Sequence, residues 1–147
     1  MDFHKIFDNQ RGAAAVETAI IFILLMMFIF GIIEFGLLLF DKHILTNASR
    51  EGARAGIVVG LNRSDDQHLT VAGNEASGFC AAYLVGFGSS PGSLTIATAL
   101  TDSDGNGSPS RGDALTVSLK YSYNFLFLSA LELGPVQLEA VSTMQLE

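Results

Sequence analysis

The chain has one cysteine, three prolines and eight Lys or Arg residues among its 147, and each scarcity removes a class of protein. A single thiol, Cys80, forms no intrachain disulfide. It reads as a small buried side chain on a helix, with an intersubunit bridge or a reactive thiol as the alternatives. The net charge is -7, and only Arg50 and Arg54 lie close together among scattered basic residues. The clustered cations that neutralise a phosphate backbone are therefore missing, which excludes nucleic acid as a partner. His4, His43 and His68 stand far apart, without cysteine or carboxylate at metal-ligand spacing. No glycine-rich phosphate loop follows a strand. The titratable residues outside the apolar segment are few and read as solvated, so the chain is read as a non-enzyme.

What the chain has in abundance is concentrated in Arg11 to Phe40, RGAAAVETAIIFILLMMFIFGIIEFGLLLF. From Ala19 to Ile33 no side chain is charged or strongly polar. With its flanks the run supplies the ~20 apolar residues that a membrane-spanning helix needs at ~1.5 Å per residue. A secretory signal peptide would have a shorter core followed by a small-residue cleavage site. Here Glu34 and Phe35 follow instead. The counts of Lys and Arg on the two sides are close, Lys5 and Arg11 against Lys42, Arg50 and Arg54, and leave orientation open.

Two glutamates interrupt the run. A carboxylate deep in such a helix costs about 2.5–3.5 kcal/mol on insertion scales, and a run of apolar residues at roughly -0.3 to -0.6 kcal/mol each offsets it. Energy thus permits Glu17 without accounting for it. If the chain is cut after Gly12, Glu17 lies one turn from a new α-amine on Ala13. That amine, or its copy on a neighbouring subunit, would neutralise the carboxylate near the positive end of the helix dipole. The plainer alternative is a Glu17 that faces interfacial water. Glu34 lies ~32 Å along the helix from Ala13, about one hydrocarbon thickness. It is therefore expected at the outer headgroups or at a subunit contact.

Helical pattern continues without proline to Val59, placing one helix over residues 13–60 with its membrane part at about 13–38. Ala48, Gly52, Gly56 and Gly60 recur every fourth residue, and one smooth helix side lets another backbone approach closely. After a break at Asn62-Arg63, Ser64 and Gln67 form a capping-box pattern that opens a second helix, with Asp65 and Asp66 in its first turn. Leu69, Ala72, Ala76, Phe79, Tyr83 and Phe87 give that helix an apolar face, and its end is expected near Gly86 to Gly88.

Strict alternation then marks three strands, through Leu94–Leu100, Leu115–Phe125 and Val136–Leu146, each with one face for a helix. The connection Phe125 to Leu133 is apolar enough to be either core or an exposed patch. Residues 61–147 thus form a small α+β domain, and the fold class is α+β: a long N-terminal transmembrane helix continuing outside, a second helix and a three-stranded antiparallel sheet.

One loop carries chemistry. Asp102, Asp104, Asn106 and Gly107 follow the D-x-D-x-N-G spacing of a calcium loop, with Asp113 where a bidentate glutamate belongs. Ca2+ held by Asp102, Asp104, Asn106 and Asp113 is one reading. The other is a long turn, since Asp, Asn, Gly, Ser and Pro are what turns are made of.

Gly12, four residues, Glu17 and a long apolar run resemble the class III leader of type IV pilins and pseudopilins. GIIEFGLLLFDKHILTNASREGARAG, Gly31 to Gly56, is similar to the signature of the TadE-like proteins of the tight-adherence (Tad/Flp) pilus system. The resemblance covers roughly Gly12 to Val59, and more weakly the final LEAVSTMQLE. Where the family often has an aromatic after the motif glutamate, Thr18 stands here. The resemblance implies a pilin-like fold and a leader over residues 1–12. It also implies a prepilin peptidase that reads Gly12 and cuts before Ala13. It further implies insertion in a bacterial inner membrane with the C-terminal domain outside, and assembly with other pilin or pseudopilin subunits. Lipid before assembly and neighbouring helices after it would then be the partners of the apolar surface. The rival is an uncleaved single-pass protein whose extracytoplasmic domain binds a ligand, a partner or calcium.

Overall fold

The computed structural model describes residues 3–61, 64–85, 93–127, 132 and 134–147, with side chains from residue 12 onward. Helix α1 spans Phe3–Ile57, α2 spans Asp65–Tyr83, and the strands are β1 (Leu94–Thr101), β2 (Ala114–Tyr123) and β3 (Val136–Gln145). The α+β class and the order of elements are as the residue patterns imply.

Nothing in α1 opposes a helix. Proline is absent, and its hydroxyls bond back to the preceding turn, Thr18 to the Ala14 carbonyl at 2.9 Å and Thr46 to the Lys42 carbonyl at 2.9 Å. Its 55 residues give a rod of ~83 Å. The rod passes through Gly12 and Ala13 without a break, so no change of backbone marks the expected leader boundary. It stops at Ile57, three residues short of the expected end, and Gly60 follows with φ of +96°. A left-handed residue just past a helix is the usual way to turn the chain away, and glycine adopts it without steric cost.

The sheet is an antiparallel meander in the order β1-β2-β3. Leu94 pairs with Tyr121 and Leu100 with Leu115 on one side of β2; Tyr123 pairs with Val136 and Ala114 with Gln145 on the other. Leu115, Val117, Leu119, Tyr121 and Tyr123 of the central strand are buried together with Leu138 and Ala140 of β3. The opposite face is polar and open: Thr116 and Thr143 share a hydroxyl bond of 3.0 Å, and Lys120 and Glu139 an exposed ion pair of 3.3 Å. The buried face receives both helices, α1 over β3 and β2 and α2 over β1, giving a two-layer head.

The helices meet where side chains vanish. A Cβ on Gly52 would stand 2.7 Å from the Ala72 carbonyl oxygen and 2.9 Å from the Ala76 Cβ; one on Gly56 would stand 2.9 Å from the Ala72 Cβ. Ala48, Ala72 and Ala76 are fully buried. Ala48, Gly52 and Gly56 therefore pack within the chain, against α2, whereas Gly60 lies beyond the helix with open space around it.

Three local expectations for α2 are corrected. Ser64 is the N-cap residue, but its side chain makes no capping bond. Its carbonyl accepts the Gln67 N–H at 3.0 Å instead. The buried line is His68, Ala72, Ala76 and Cys80; Leu69 and Phe79 are half-buried and Tyr83 is exposed. Close approach to α1 selects small residues for the centre and leaves the larger ones at its margins. His68 is tolerated there because Nδ1 donates to the Gly56 carbonyl at 2.8 Å. The helix ends at Tyr83, before the expected glycines, and Phe87 lies outside the described residues.

Candidate functional site: the apolar helix and its junction with the head

Two halves of α1 have opposite surroundings. From Val16 to Phe40 most large apolar side chains are exposed, among them Ile20, Ile23, Phe28, Ile32 and Phe35. From Glu34 onward one side turns inward: Glu34, then Asp41 two turns on, then Leu45, Ala48, Gly52 and Gly56 at a spacing of three and four. The first half is a surface awaiting an apolar environment. The second is a core element of the head.

Gly12, Ala13 and Glu17 all lie on the exposed first half, and among the described residues nothing pairs with the Glu17 carboxylate. Glu34 is different. Sequence reading places it among outer headgroups or against another subunit, yet its side chain is fully buried in its own head. Oε1 accepts the Tyr123 hydroxyl at 3.1 Å and the Leu126 N–H at 2.6 Å, and Oε2 accepts the Phe127 N–H at 2.7 Å. Bonds to an ionised carboxylate are about twice as strong as neutral ones, so the burial is compensated locally. Burial of Tyr123, and next the carboxylate it serves, push its phenol well above the usual range and keep it a donor.

Aromatic packing closes the junction. Phe127 stacks on Phe30 of α1 with centroids 4.4 Å apart and planes at 12°, and Tyr123 meets Phe125 edge-on at 5.7 Å. One turn pair further out, Asp41 is also buried and its Oδ1 accepts the Val85 N–H at 3.0 Å. Glu34 and Asp41 thus fasten two loops of the head to the rod, after β2 and after α2. Sequence reading singled out Glu34 as polar and missed what it binds. Two of its partners are backbone N–H groups, which leave no mark in the sequence. Asp41 was missed altogether, although its position two turns after Glu34 is a usable signal.

At the other end of the sheet, the loop between β1 and β2 gathers three carboxylates. One ligand atom each from Asp102, Asp104 and Asp113 lies within 4.8 Å of the others. Asp102 Oδ1 accepts the Gly105 N–H at 2.7 Å, and its Oδ2 accepts the Gly107 N–H at 2.7 Å. Asp113 Oδ1 accepts the Ser103 N–H at 2.8 Å and Oδ2 the Ser110 N–H at 2.7 Å. These bonds hold both carboxyls below the ordinary carboxylate range, Gly107 contributing most for Asp102 and Ser103 for Asp113. Asn106 departs from the calcium-loop expectation. Its Oδ1 is taken by the Ser108 N–H at 2.7 Å while its Nδ2 faces Asp104 at 2.7 Å. The loop's own amides therefore organise it.

Cys80 faces the core from α2, and burial pushes its thiol up to about 11. A thiol so placed is inert packing, the first of the readings the sequence left open.

An apolar rod running into a head that it helps to build defines an α+β protein with, among the described residues, one helix long and apolar enough to cross a membrane. The model of the family described as TadE-like protein matches residues 12–54, a stretch that takes in both the exposed apolar part of α1 and turns of it packed in the head. That family is one of pilus-associated structural proteins, and the match supports a function associated with the Tad pilus. No curated protein and no solved structure matches the chain.

Proposed function

We propose that the chain is a pseudopilin or minor pilin that acts in assembly of a tight-adherence pilus, made with a leader that a prepilin peptidase removes after Gly12. The observation that carries this reading is the TadE-like match across a helix whose apolar first half is exposed. Such a surface serves twice, dissolved in lipid before assembly and packed against other pilin helices afterwards. The membrane in question is the bacterial inner membrane, with the head outside the cytoplasm.

Cutting at Gly12 would place an α-amine one turn from Glu17. An unpaired carboxylate within an apolar bundle costs several kcal/mol, so subunits settle axially where Glu17 meets an amine, its own or a neighbour's. Deleting the gene in its host tests the function: surface pili are lost and the wild-type gene restores them. Undiminished pili would overturn it. In the same strain Glu17→Ala is expected in the membrane at normal level without restoring pili, and full restoration removes the register role.

A further inference from the structure

The loop leaving β2 carries Leu126 and Phe127, 42% and 39% exposed, beside the part of α1 that is itself apolar and exposed. Its position along the rod is fixed twice over. Phe127 lies flat on Phe30, and the N–H groups of Leu126 and Phe127 are bound to Glu34. From Ala13, Phe30 lies ~26 Å and Glu34 ~32 Å along the helix, against a hydrocarbon layer of ~30 Å. If Ala13 sits at the inner interface, Phe30 falls just inside the outer edge of the hydrocarbon and Glu34 at its boundary.

We propose that the Leu126–Phe127 loop enters the outer lipid interface, so that the head rests on the bilayer by an apolar shoulder in addition to its helix. The proposal rests on the reading that α1 crosses the membrane. Lipid is the occupant because Phe127 lies on Phe30 of α1, whose neighbours along the helix, Ile29, Ile32 and Ile33, are apolar and exposed. Irregular backbone at that depth is tolerated when its polar groups are satisfied within the protein. Glu34 does this for both N–H groups. The same contacts wrap the carboxylate, so its charge is not left bare towards the acyl chains. Glu34 is thereby a positioning residue that sets the depth of the shoulder.

The sequence contains no tryptophan, so a single introduced indole reports its own surroundings. Full-length Leu126→Trp, Ile23→Trp and Val141→Trp, the last on the exposed face of β3, are reconstituted in phosphatidylcholine vesicles with or without acyl-chain bromination. Ile23→Trp and Leu126→Trp are expected to lose emission to the bromines, and Val141→Trp to keep it. Leu126→Trp quenched no more than Val141→Trp, beside a quenched Ile23→Trp, overturns the shoulder alone; an unquenched Leu126→Trp with blue-shifted emission would assign the patch to protein contact. An unquenched Ile23→Trp overturns the membrane reading beneath it. Should Leu126→Trp fail to fold, Phe127→Trp keeps an aromatic ring on Phe30 and gives the same readout.

Discussion

At the scale of single residues, the junction is decided by carboxylates that take backbone donors. Glu34 binds the hydroxyl of Tyr123 and two N–H groups, so replacing one of its oxygens by an amide orphans a buried donor. Glu34→Gln is expected to lower the stability of the detergent-solubilised full chain by about 1–3 kcal/mol, read as a fall in the denaturant midpoint. An unchanged midpoint would show that the bonds to Glu34 contribute nothing net. Asp102 and Asp113 act likewise at the far end, where N–H donors depress their titration below the ordinary 3.8. A depressed carboxylate contributes stability that is fully present above its unfolded value and is lost as pH falls through its folded one. The Tm of the full chain is therefore expected to hold from neutral pH down to about the unfolded value of 3.8 and to fall between there and the lower folded value. Asp113→Asn is expected to flatten the drop, and an equal drop in this variant would contradict the assignment. Residue types along the chain disclosed that these positions were polar and paired with something. They did not disclose N–H partners, since every residue but proline carries the same donor.

At the scale of elements, periodicity was enough for the broad arrangement. Alternation gave strands whose inward residues are buried in β2 and half-buried in β1, while in β3 Leu138 and Ala140 are buried and Val136 is exposed, and the run from Val16 to Phe40 gave a helix with an exposed apolar surface. Packing decided what periodicity could not. The apolar face of α2 is narrower in side-chain size than Leu69, Phe79 and Tyr83 suggest, because α1 comes so close at Gly52 and Gly56 that only alanine fits opposite. Helix ends were also displaced: Ile57 and Tyr83 close their helices earlier than the glycines that follow. The close approach makes a clear prediction. Gly52→Ala places a methyl 2.7 Å from a backbone oxygen that cannot swing aside, which outweighs the ~1 kcal/mol gain in helix propensity and leaves a net loss of about 1–2 kcal/mol from overpacking. Gly78→Ala, on the same helix pair but with open space around it, is expected to gain up to ~1 kcal/mol. Equal effects from the two substitutions, measured by denaturation, would contradict the close packing.

At the scale of the whole molecule, the chain is a rod with two environments. Its first half is exposed and apolar, and its second half is the spine of a head held on by Glu34, Asp41 and the Gly52–Gly56 contact. The TadE-like match spans the seam between them. Glu17 stands apart from this scheme as an exposed carboxylate on the apolar half, and only a cationic mate created by cleavage gives it a purpose in the proposed assembly. The intact mass of the chain purified from its host's membranes tests that claim most directly. The account predicts a species beginning at Ala13; a functional protein that retains Met1 to Gly12 would contradict it.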